Sequence, residues 1–326
     1  MAKELKHILV TGASGQIGTD LTCALRRRFG NDNVVAVDLR PPICESSDGD
    51  GPFYKVDILD PDALEAVIRK HSIDTVFHMA AILSAVGEKN PQQCWNVNMN
   101  GTINVLELAI KHRMTRIVVP SSIAVWGSGV PRDRTPQETV LKPTTMYGVT
   151  KVCGELVCDY YVRRFGLDVR GLRYPGIISY ETLPGGGTTD YAVAIYYEAV
   201  DKGEYRCFVR EDTVLPMMYM PDAIAGTIQL AEADLAKLKH HSDFNLAAMS
   251  FSAGDLAASI KKHLPNFKVT YEPDYHQAIA DSWPHSIDDA SAREEWGWKP
   301  KWDLNAMTVD MLKHLQERKN QGKLYR

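Results

Sequence analysis

A glycine-rich turn between an apolar segment and a helical segment constrains the fold of this chain more than any other feature. Residues 6–10 predict a short strand, residues 11–18 have the sequence TGASGQIG, and residues 19–29 have helical periodicity. Glycines in such a turn permit a tight bend, close helix–strand packing and a close approach of a pyrophosphate to the backbone. Free N–H groups at the start of the helix attract phosphate oxygens. The residues predicted to hold a dinucleotide here are Gly12, Gly15, Gln16, Ile17 and Gly18.

An acidic residue ends the second predicted strand. That strand covers residues 34–37 and is followed at once by Asp38, Leu39 and Arg40. A carboxylate about twenty residues after the glycine turn accepts the ribose hydroxyls of a dinucleotide. Asp38 therefore favours NAD, because a carboxylate repels the 2′-phosphate of NADP. Arg40 favours the opposite choice, since an arginine accommodates that phosphate.

Tyr147 and Lys151 lie four residues apart in a predicted helix over residues 147–165. Side chains at this spacing project from one helix face. A free tyrosine has a pKa of about 10, and a neighbouring ammonium lowers it. On any single helix such a pair is more commonly a surface feature. Behind a dinucleotide turn, however, it predicts a proton-transfer device beside a bound nicotinamide.

Strands and helices alternate through the first half of the chain. Predicted helices cover 61–71 and 96–113, and predicted strands cover 75–78, 116–119 and 168–173. This alternation indicates an α/β fold with a doubly wound parallel sheet. Such sheets bind ligands at the carboxyl ends of their strands, which is where Ser121 and Ser122 lie. Because side chains alternate along a strand, we expect only one of the two serines to face the ligand.

These motifs together resemble the extended short-chain dehydrogenase/reductase superfamily over about residues 6–180. The resemblance implies a Rossmann domain over residues 1–178, to which 219–247 return, and a smaller, mainly substrate-binding domain over 179–326. It implies that Tyr147 is the base, and that Lys151 holds the nicotinamide ribose and lowers the tyrosine pKa. Ser122, or its neighbour Ser121, hydrogen-bonds the reacting oxygen. The further cofactor positions implied are Asp57, Ile58, Met79, Ala80, Ala81, Asn98, Tyr174, Pro175 and Ile177.

The second half of the chain decides between the activities of that superfamily. Residues 174–179 (YPGIIS), 184–192 (PGGGTTDYA) and 215–224 (LPMMYMPDAI) are similar to the short-chain L-threonine 3-dehydrogenase family. This resemblance implies oxidation of the 3-hydroxyl of L-threonine to L-2-amino-3-oxobutyrate, with NAD as the oxidant. A nucleotide-sugar epimerase or dehydratase is the alternative enzyme. The second half has no obvious lysine or arginine cluster for its diphosphate, although Arg173 and Arg210 could be recruited. A non-catalytic NAD-sensing protein is the alternative from another class.

A glycine run and three polar residues form the predicted substrate segment. Hydroxyls at Thr188 and Thr189 and amides near Gly187 can meet the carboxylate of an amino acid, and Asp190 can meet its ammonium. Equally, the run can be a plain loop with Asp190 as the N-cap of a helix over 191–201. Ser84 and Trp283 are predicted to line the same pocket, with a loop serine and a packing tryptophan as the alternatives.

Composition excludes several other classes. The 326 residues carry a net charge of −4, so nucleic acid and anionic membranes are not expected as partners. The six cysteines form no Cys-x-x-Cys pair, which predicts reduced thiols and no metal site. We expect a cytoplasmic protein, or one of the mitochondrial matrix if a presequence has been removed. The family resemblance also implies a homodimer through the Tyr147 helix, although an intramolecular helix face would have the same apolar pattern.

Overall fold

The structure, a computed structural model, describes residues 5–41, 50–183 and 185–325. The strands in chain order are β1 (Ile8–Thr11), β2 (Val34–Asp38), β3 (Phe53–Lys55), β4 (Thr75–His78), β5 (Arg116–Val118), β6 (Ser121–Ser122), β7 (Val169–Arg170), β8 (Leu172–Tyr174), β9 (Gly176–Ile178), β10 (Glu204–Cys207), β11 (Val214–Tyr219), β12 (Phe244–Asn245), β13 (Met249–Ser252) and β14 (Lys268–Tyr271). The α-helices are α1 (Gln16–Phe29), α2 (Pro61–Lys70), α3 (Ser84–Lys89), α4 (Pro91–Trp95), α5 (Gly101–Lys111), α6 (Met146–Phe165), α7 (Tyr191–Asp201), α8 (Met220–Glu232), α9 (Ala253–Lys261), α10 (Tyr275–Ala280), α11 (Ala290–Trp296) and α12 (Leu304–Asn320).

A parallel sheet of six strands, counted over the described residues, has the order β3-β2-β1-β4-β5-β7. The apolar strands β1, β2 and β4 are almost fully buried, as expected for a sheet covered on both faces. The strand order reverses between β1 and β4, and open α/β sheets bind ligands at such a point. The predicted doubly wound α/β fold of Rossmann type is therefore confirmed.

The predicted strand over 168–173 is wrong in its extent, because the chain changes sheets at Gly171. A β-carbon there would lie 2.4 Å from the carbonyl oxygen of Val119 and 2.5 Å from that of Ser242. β7 completes the large sheet, whereas β8 pairs with β6 and β12 in a second, three-stranded parallel sheet. This change of sheet places Ser121 and Ser122 beside Arg173 and Tyr174.

The predicted helix over 96–113 is also interrupted. It begins as a π-helical turn, Asn96–Asn100, and continues as α5. A π turn inserts an extra residue and redirects side chains, and it recurs at functional sites. Here it carries Asn98, one of the predicted cofactor residues.

The helix that bears Tyr147 and Lys151 is well defined at both ends. The hydroxyl of Thr145 accepts the amide of Gly148 at 3.1 Å and caps the start of α6. Gly166, with φ of +67°, ends the helix in the left-handed conformation. The start of α6 packs on the segment that follows Ser122, so the cap determines where Tyr147 meets the serines.

The second half of the chain packs partly on the first. β11 pairs with β9 and β13, β10 pairs with β14, and α7 packs on α9 and α12. α8 packs against α1, and β12 joins the sheet of β8 and β6. The division into domains over 1–178 and 179–326, with 219–247 returning, stays a prediction.

Cys23 is disulfide-bonded, so the expectation of reduced thiols is wrong at that position. Cys94, Cys153, Cys158 and Cys207 are free. Cys44, Pro184 and most of the loop predicted over 40–52 lie outside the described residues. Among the described helices, none is both long and apolar enough to cross a membrane. No cluster of metal-ligating side chains is found in the described ranges.

Candidate active site

A cleft opens at the carboxyl ends of β1, β4 and β6, the edge at which open α/β sheets bind ligands. The structure brings most of the predicted residues together in this cleft. The predicted residues that line it are Gly12, Gly15, Gln16, Ile17, Gly18, Met79, Ala81, Ser84, Ser121, Ser122, Tyr147, Lys151, Tyr174, Pro175, Ile177, Gly187, Thr188, Thr189, Asp190 and Trp283.

The glycine turn forms one wall of the cleft and leaves no room for side chains. Gly12 has φ of +66°, and a β-carbon there would lie 2.5 Å from the amide nitrogen of Ala80. A β-carbon at Gly18 would lie 2.0 Å from the carbonyl oxygen of Gly12. α1 starts at Gln16, and its first residues, whose amides lack acceptors within the helix, line the cleft. Close backbone and free amides fit the pyrophosphate of a dinucleotide.

Asp38 lies beside this turn, at the end of β2. Its carboxylate accepts the amides of Ser14 at 3.0 Å, Leu39 at 2.7 Å and Arg40 at 3.2 Å. Asp38 thus ties the glycine turn to the segment that follows β2, and its carboxylate retains oxygen lone pairs for further donors. Leu39 is 55% exposed. The predicted residues outside the cleft lining are Asp38, Leu39, Arg40, Asp57, Ile58, Ala80 and Asn98.

Two of those residues, Asp57 and Ile58, lie in the turn after β3. Asp57 accepts the amide of Leu59 at 2.9 Å and shapes the turn after β3. Ile58 is buried against Gly101 of α5, where a β-carbon would lie 2.4 Å from the Ile58 side chain. Both therefore hold the end of β3 in place.

The hydroxyls of Ser122 and Tyr147 meet in the middle of the cleft. Ser122 hydrogen-bonds Tyr147, and its Oγ also accepts the amide of Ala124 at 3.2 Å. Ser121 faces the other way, and its Oγ donates to Oε1 of Glu155 at 2.5 Å. The alternation expected along β6 is therefore present, with Ser122 on the side of Tyr147.

Lys151 lies one turn beyond Tyr147 on the same face of α6. Its ammonium donates to the carbonyl oxygen of Pro120 at 2.8 Å and stands 5.5 Å from the centre of the Tyr147 ring. Burial raises the pKa of Tyr147 to about 12, an effect that the Ser122 hydrogen bond opposes. Burial also lowers the pKa of Lys151 to about 8. Burial therefore dominates the pKa of Tyr147 in the protein without a cofactor, and the expectation that Lys151 lowers this pKa stays a prediction.

A buried ion pair beneath the serines was not predicted. Arg173 donates to Glu155 at 2.9 Å (Nε to Oε1) and 2.8 Å (Nη2 to Oε2), and both side chains are buried. Arg173 is therefore occupied inside the protein and is not available to the diphosphate of a nucleotide sugar. Arg210 forms an exposed ion pair with Asp281 at 2.7 Å. In the sequence, Glu155 is a charged residue within a predicted helix, and such residues are ordinarily solvated.

Asn98 and Ala80 line a smaller pocket behind Lys151. The Asn98 side chain accepts the amide of Ile82 at 2.8 Å and donates to the carbonyl oxygen of Ile82 at 3.0 Å. It also donates to the hydroxyl of Thr150 at 3.0 Å. Asn98 thus ties the segment after β4 to α6, which carries Tyr147. His78 is buried between the hydroxyls of Thr11 and Thr102, at hydrogen-bond distance from both, and burial lowers its pKa to about 3.

Gly187 and the three residues that follow it form a further wall of the cleft. Oδ2 of Asp190 accepts the amides of Gly186 at 2.7 Å and Gly187 at 2.8 Å. Asp190 occupies the N-cap position of α7, but in the described part of the chain its side chain makes no capping hydrogen bond to that helix. The helix-cap interpretation is therefore wrong, and the carboxylate instead fixes the loop that precedes it. Burial raises the pKa of Asp190, which the loop amides oppose.

The remaining walls are polar and aromatic. The buried hydroxyls of Ser84 and Thr188 lie 3.4 Å apart across the cleft. Trp283 is buried and lines the same end. Tyr174 lines the cleft with its body, while its hydroxyl hydrogen-bonds the Thr227 hydroxyl inside the core. The lining residues that the sequence did not predict are Leu83, Pro120, Ile123 and Gly176.

Comparison with known proteins decides the family. Residues 8–247 match the NAD dependent epimerase/dehydratase family. The chain belongs to this family. An uncharacterized epimerase/dehydratase of Staphylococcus haemolyticus is 49% identical over 315 residues, which cover 96% of this chain and 99% of that protein.

Solved structures narrow the comparison within the epimerase/dehydratase family. L-threonine dehydrogenase from Clostridium difficile is 49% identical, with a TM-score of 0.93, over 97% of this chain and 99% of that one. A monomeric L-threonine 3-dehydrogenase from a metagenome is 50% identical, with a TM-score of 0.91, over 95% of this chain and 99% of that one. Both the resemblance to the L-threonine 3-dehydrogenases and the place of the chain in the extended superfamily are therefore confirmed.

The lining residues that the sequence did not predict lie outside the recognisable motifs. The predicted residues lie mostly at strand ends and in the glycine turn, where the sequence pattern identifies them. Leu83 and Ile123 are apolar residues in connecting segments, and only the folded structure brings them to the cleft. Gly176 lines the cleft because β9 passes close to Thr189, whose side chain would lie 2.8 Å from a β-carbon there.

Proposed function

We propose that the protein is an NAD-dependent L-threonine 3-dehydrogenase, which oxidises the 3-hydroxyl of L-threonine to L-2-amino-3-oxobutyrate in threonine catabolism. The observation that carries this proposal is the meeting of Ser122 and Tyr147 in a cleft whose other walls suit a small zwitterion. Likeness near 50% to solved L-threonine dehydrogenases, over almost the whole chain, supports it.

Three residues of α6 and β6 handle the hydroxyl proton. Ser122 hydrogen-bonds the substrate 3-hydroxyl and aligns it with Tyr147, and the Tyr147 phenolate takes the proton. The Lys151 ammonium stabilises that phenolate and contacts the ribose of the cofactor. Ser121, which donates to Glu155, supports its neighbour from behind.

The nicotinamide cofactor is NAD in this proposal. When bound, it accepts a hydride from C3 of the substrate. The glycine turn and the first amides of α1 hold its pyrophosphate, and Asp38 meets the ribose hydroxyls. The three amides that Asp38 accepts keep its carboxylate at the place where a 2′-phosphate would be repelled.

The amino-acid part of the substrate meets the wall formed by α3 and the glycine run. Ser84 and Thr188 donate hydroxyls to the carboxylate, and Thr189 and the amide of Gly187 lie on the same wall. We assign the ammonium to Asp190, which lines the cleft and whose Oδ2 accepts the amides of the glycine run. Trp283 closes this end against water, which strengthens every charge interaction inside.

We further propose a homodimer formed through α6, in the cytoplasm or the mitochondrial matrix, with the domain division described above. Leu156 is 63% exposed and Tyr160 is 56% exposed on that helix. Large apolar side chains at such exposure on one helix face support a protein contact.

Near-ultraviolet absorbance of NADH tests the function. We expect rapid NADH formation from NAD⁺ and L-threonine, and much less from L-serine or L-allo-threonine. Tightly bound NAD, together with no net NADH from any amino acid and conversion of a UDP-sugar, would favour the epimerase alternative instead.

A further inference from the structure

Glu155 lies one helical turn beyond Lys151 and is enclosed by the protein, with 7% of its surface exposed. Its carboxylate forms a bidentate pair with Arg173 and accepts the hydroxyl of Ser121 at 2.5 Å. Burial raises the pKa of Glu155, and the Arg173 and Ser121 donors oppose this. Bidentate pairing with a guanidinium stabilises the ionised carboxylate and fixes its orientation.

Arg173 is itself held from several sides. Its Nη1 donates to the carbonyl oxygen of Gln137 and to Oδ1 of Asn245, each at 3.1 Å. Its guanidinium lies 5.5 Å from the ring centre of Trp126, and Nη2 is 3.7 Å from Oδ2 of Asp243. Glu155 is therefore tied through Arg173 to β8, to β12 and to the segment that precedes α6. The pair forms a rigid base beneath the serines.

Ser121 connects this ion pair to Ser122. Because adjacent side chains of a strand point in opposite directions, anchoring Ser121 to Glu155 fixes the opposite orientation of Ser122. Ser122 is the residue that hydrogen-bonds Tyr147. A shift of about 1 Å at such a contact is enough to lower turnover strongly.

Glu155 also bears on the charge of Lys151. The two residues line the same small polar pocket. The other titratable groups facing Lys151 are Tyr147, Cys94 of α4, Cys158 of α6 and His78 of β4. Burial raises the pKa of each thiol and lowers that of His78 to about 3, so these groups are neutral near pH 8. Among the described residues that face Lys151, Glu155 is the one that supplies a negative charge there, with Arg173 and Asp243 behind it.

We propose that Glu155 is a positioning residue of the reaction, which fixes Ser122 against Tyr147 through Ser121 and whose charge keeps Lys151 protonated. This inference rests on the proposed function. It assigns to one buried carboxylate both the geometry of the hydroxyl-binding serine and the charge state of the lysine.

Glu155→Gln tests the charge, with kcat and kcat/KM measured against pH for the full chain at saturating NAD⁺. Removing a negative charge lowers the pKa of a neighbouring ammonium, so we expect the acid limb to move to lower pH by about half a unit to one unit. We expect kcat to fall about tenfold or more, because Ser121 loses a charged acceptor. Glu155→Asp keeps the charge and shortens the reach, so kcat should fall while the limb stays in place.

Asp168→Asn is the matched control, because Asp168 forms the buried pairs with Arg116 and Arg170 far from the cleft. It should lower the melting temperature without moving the pH profile. If Glu155→Gln does not fold, Glu155→Asp and Ser121→Ala test the positioning role instead. Each should lower kcat about fivefold or more.

Wild-type kcat and an unmoved pH profile in folded Glu155→Gln would overturn the inference. Wild-type kcat in both Glu155→Asp and Ser121→Ala would overturn it as well. A wild-type protein that forms no NADH from L-threonine contradicts the proposed function, and this inference with it. An active wild type with unchanged variants contradicts this inference alone.

Discussion

Tyr147 and Lys151 form a pair in which burial acts on both partners. Burial raises the pKa of the tyrosine to about 12 and lowers that of the lysine to about 8. Groups this close titrate as a unit, so an activity profile reports the pair rather than one residue. In the proposed function, a bound nicotinamide cation would favour the ionised form of the Tyr147 hydroxyl by its charge.

Tyr147→Phe removes the hydroxyl and keeps the ring. We expect kcat to fall about a thousandfold or more, because general base catalysis is lost. NAD binding, followed by calorimetry, should change little. Tyr275→Phe is the matched control, since Tyr275 is 55% exposed on α10, and it should retain wild-type turnover. Strong residual activity in Tyr147→Phe would contradict the assignment of the base.

The pH dependence of kcat/KM follows from the same pair. The first proton that the pair loses on raising the pH corresponds to the pKa of about 8 assigned to Lys151. Loss of that proton leaves one proton shared between the two groups, which is the state that contains the phenolate. Activity should therefore rise with pH, with an acid limb near this value. A profile that stays flat between about pH 6 and about pH 10 would contradict the account.

Asp38→Asn keeps an oxygen acceptor for the loop amides and removes the charge. We expect the preference for NAD over NADP, measured as the ratio of kcat/KM values, to fall about tenfold. Asp32→Asn changes an exposed residue before β2 and serves as the control. An unchanged ratio in Asp38→Asn would show that Asp38 does not select the cofactor.

At the scale of elements, α6 packs so closely on the segment after Ser122 that no side chain fits at Gly148. A β-carbon there would lie 2.2 Å from the carbonyl oxygen of Ala124 and 2.6 Å from the Pro143 side chain. Ala124 follows closely on Ser122, so displacement of α6 also displaces the hydroxyl-binding serine. The contact between these two segments therefore determines the geometry of the reacting centre.

Gly148→Ala should lower the free energy of unfolding by about 1–3 kcal/mol and reduce kcat sharply, because the helix must move away from Ala124. Gly154→Ala is the control on the same helix, since no described heavy atom would lie within 4 Å of its β-carbon. It should stabilise the fold by about 0.5–1 kcal/mol. Denaturant unfolding measures both, and equal effects of the two substitutions would contradict the proposed contact.

Helices and strands that depend on neighbouring residues could be predicted from the sequence. Features that depend on contacts between distant parts of the chain could not. Apolar strands such as β1, and α2 with Asp60 as its N-cap, follow from residues adjacent in sequence. The break at Gly171 depends on carbonyl groups of Val119 and Ser242, which only folding brings there. The cleft was likewise predicted through its motifs, whereas the Glu155–Arg173 pair required the change of sheet that places β8 beside β6.

At the scale of the whole molecule, the exposed apolar face of α6 has a testable consequence. We expect the wild type to sediment as a dimer and Leu156→Glu to sediment as a monomer, because a buried charge opposes association. Val309→Glu, on the 45% exposed Val309 of α12, is the control and should remain dimeric. A wild type that sediments as a monomer, as the name of the metagenome enzyme describes for that protein, would contradict the dimer.

In the proposed function, the glycine turn holds the cofactor, while the Ser122–Tyr147 pair and the wall at Ser84 and Thr188 hold the substrate, so that a hydride leaves C3. L-threonine carrying deuterium at C3 tests this most directly, through the mass of the reduced cofactor after one turnover. The account predicts that deuterium passes from C3 to the nicotinamide. Reduced cofactor without deuterium, or no net reduction with L-threonine, would contradict it.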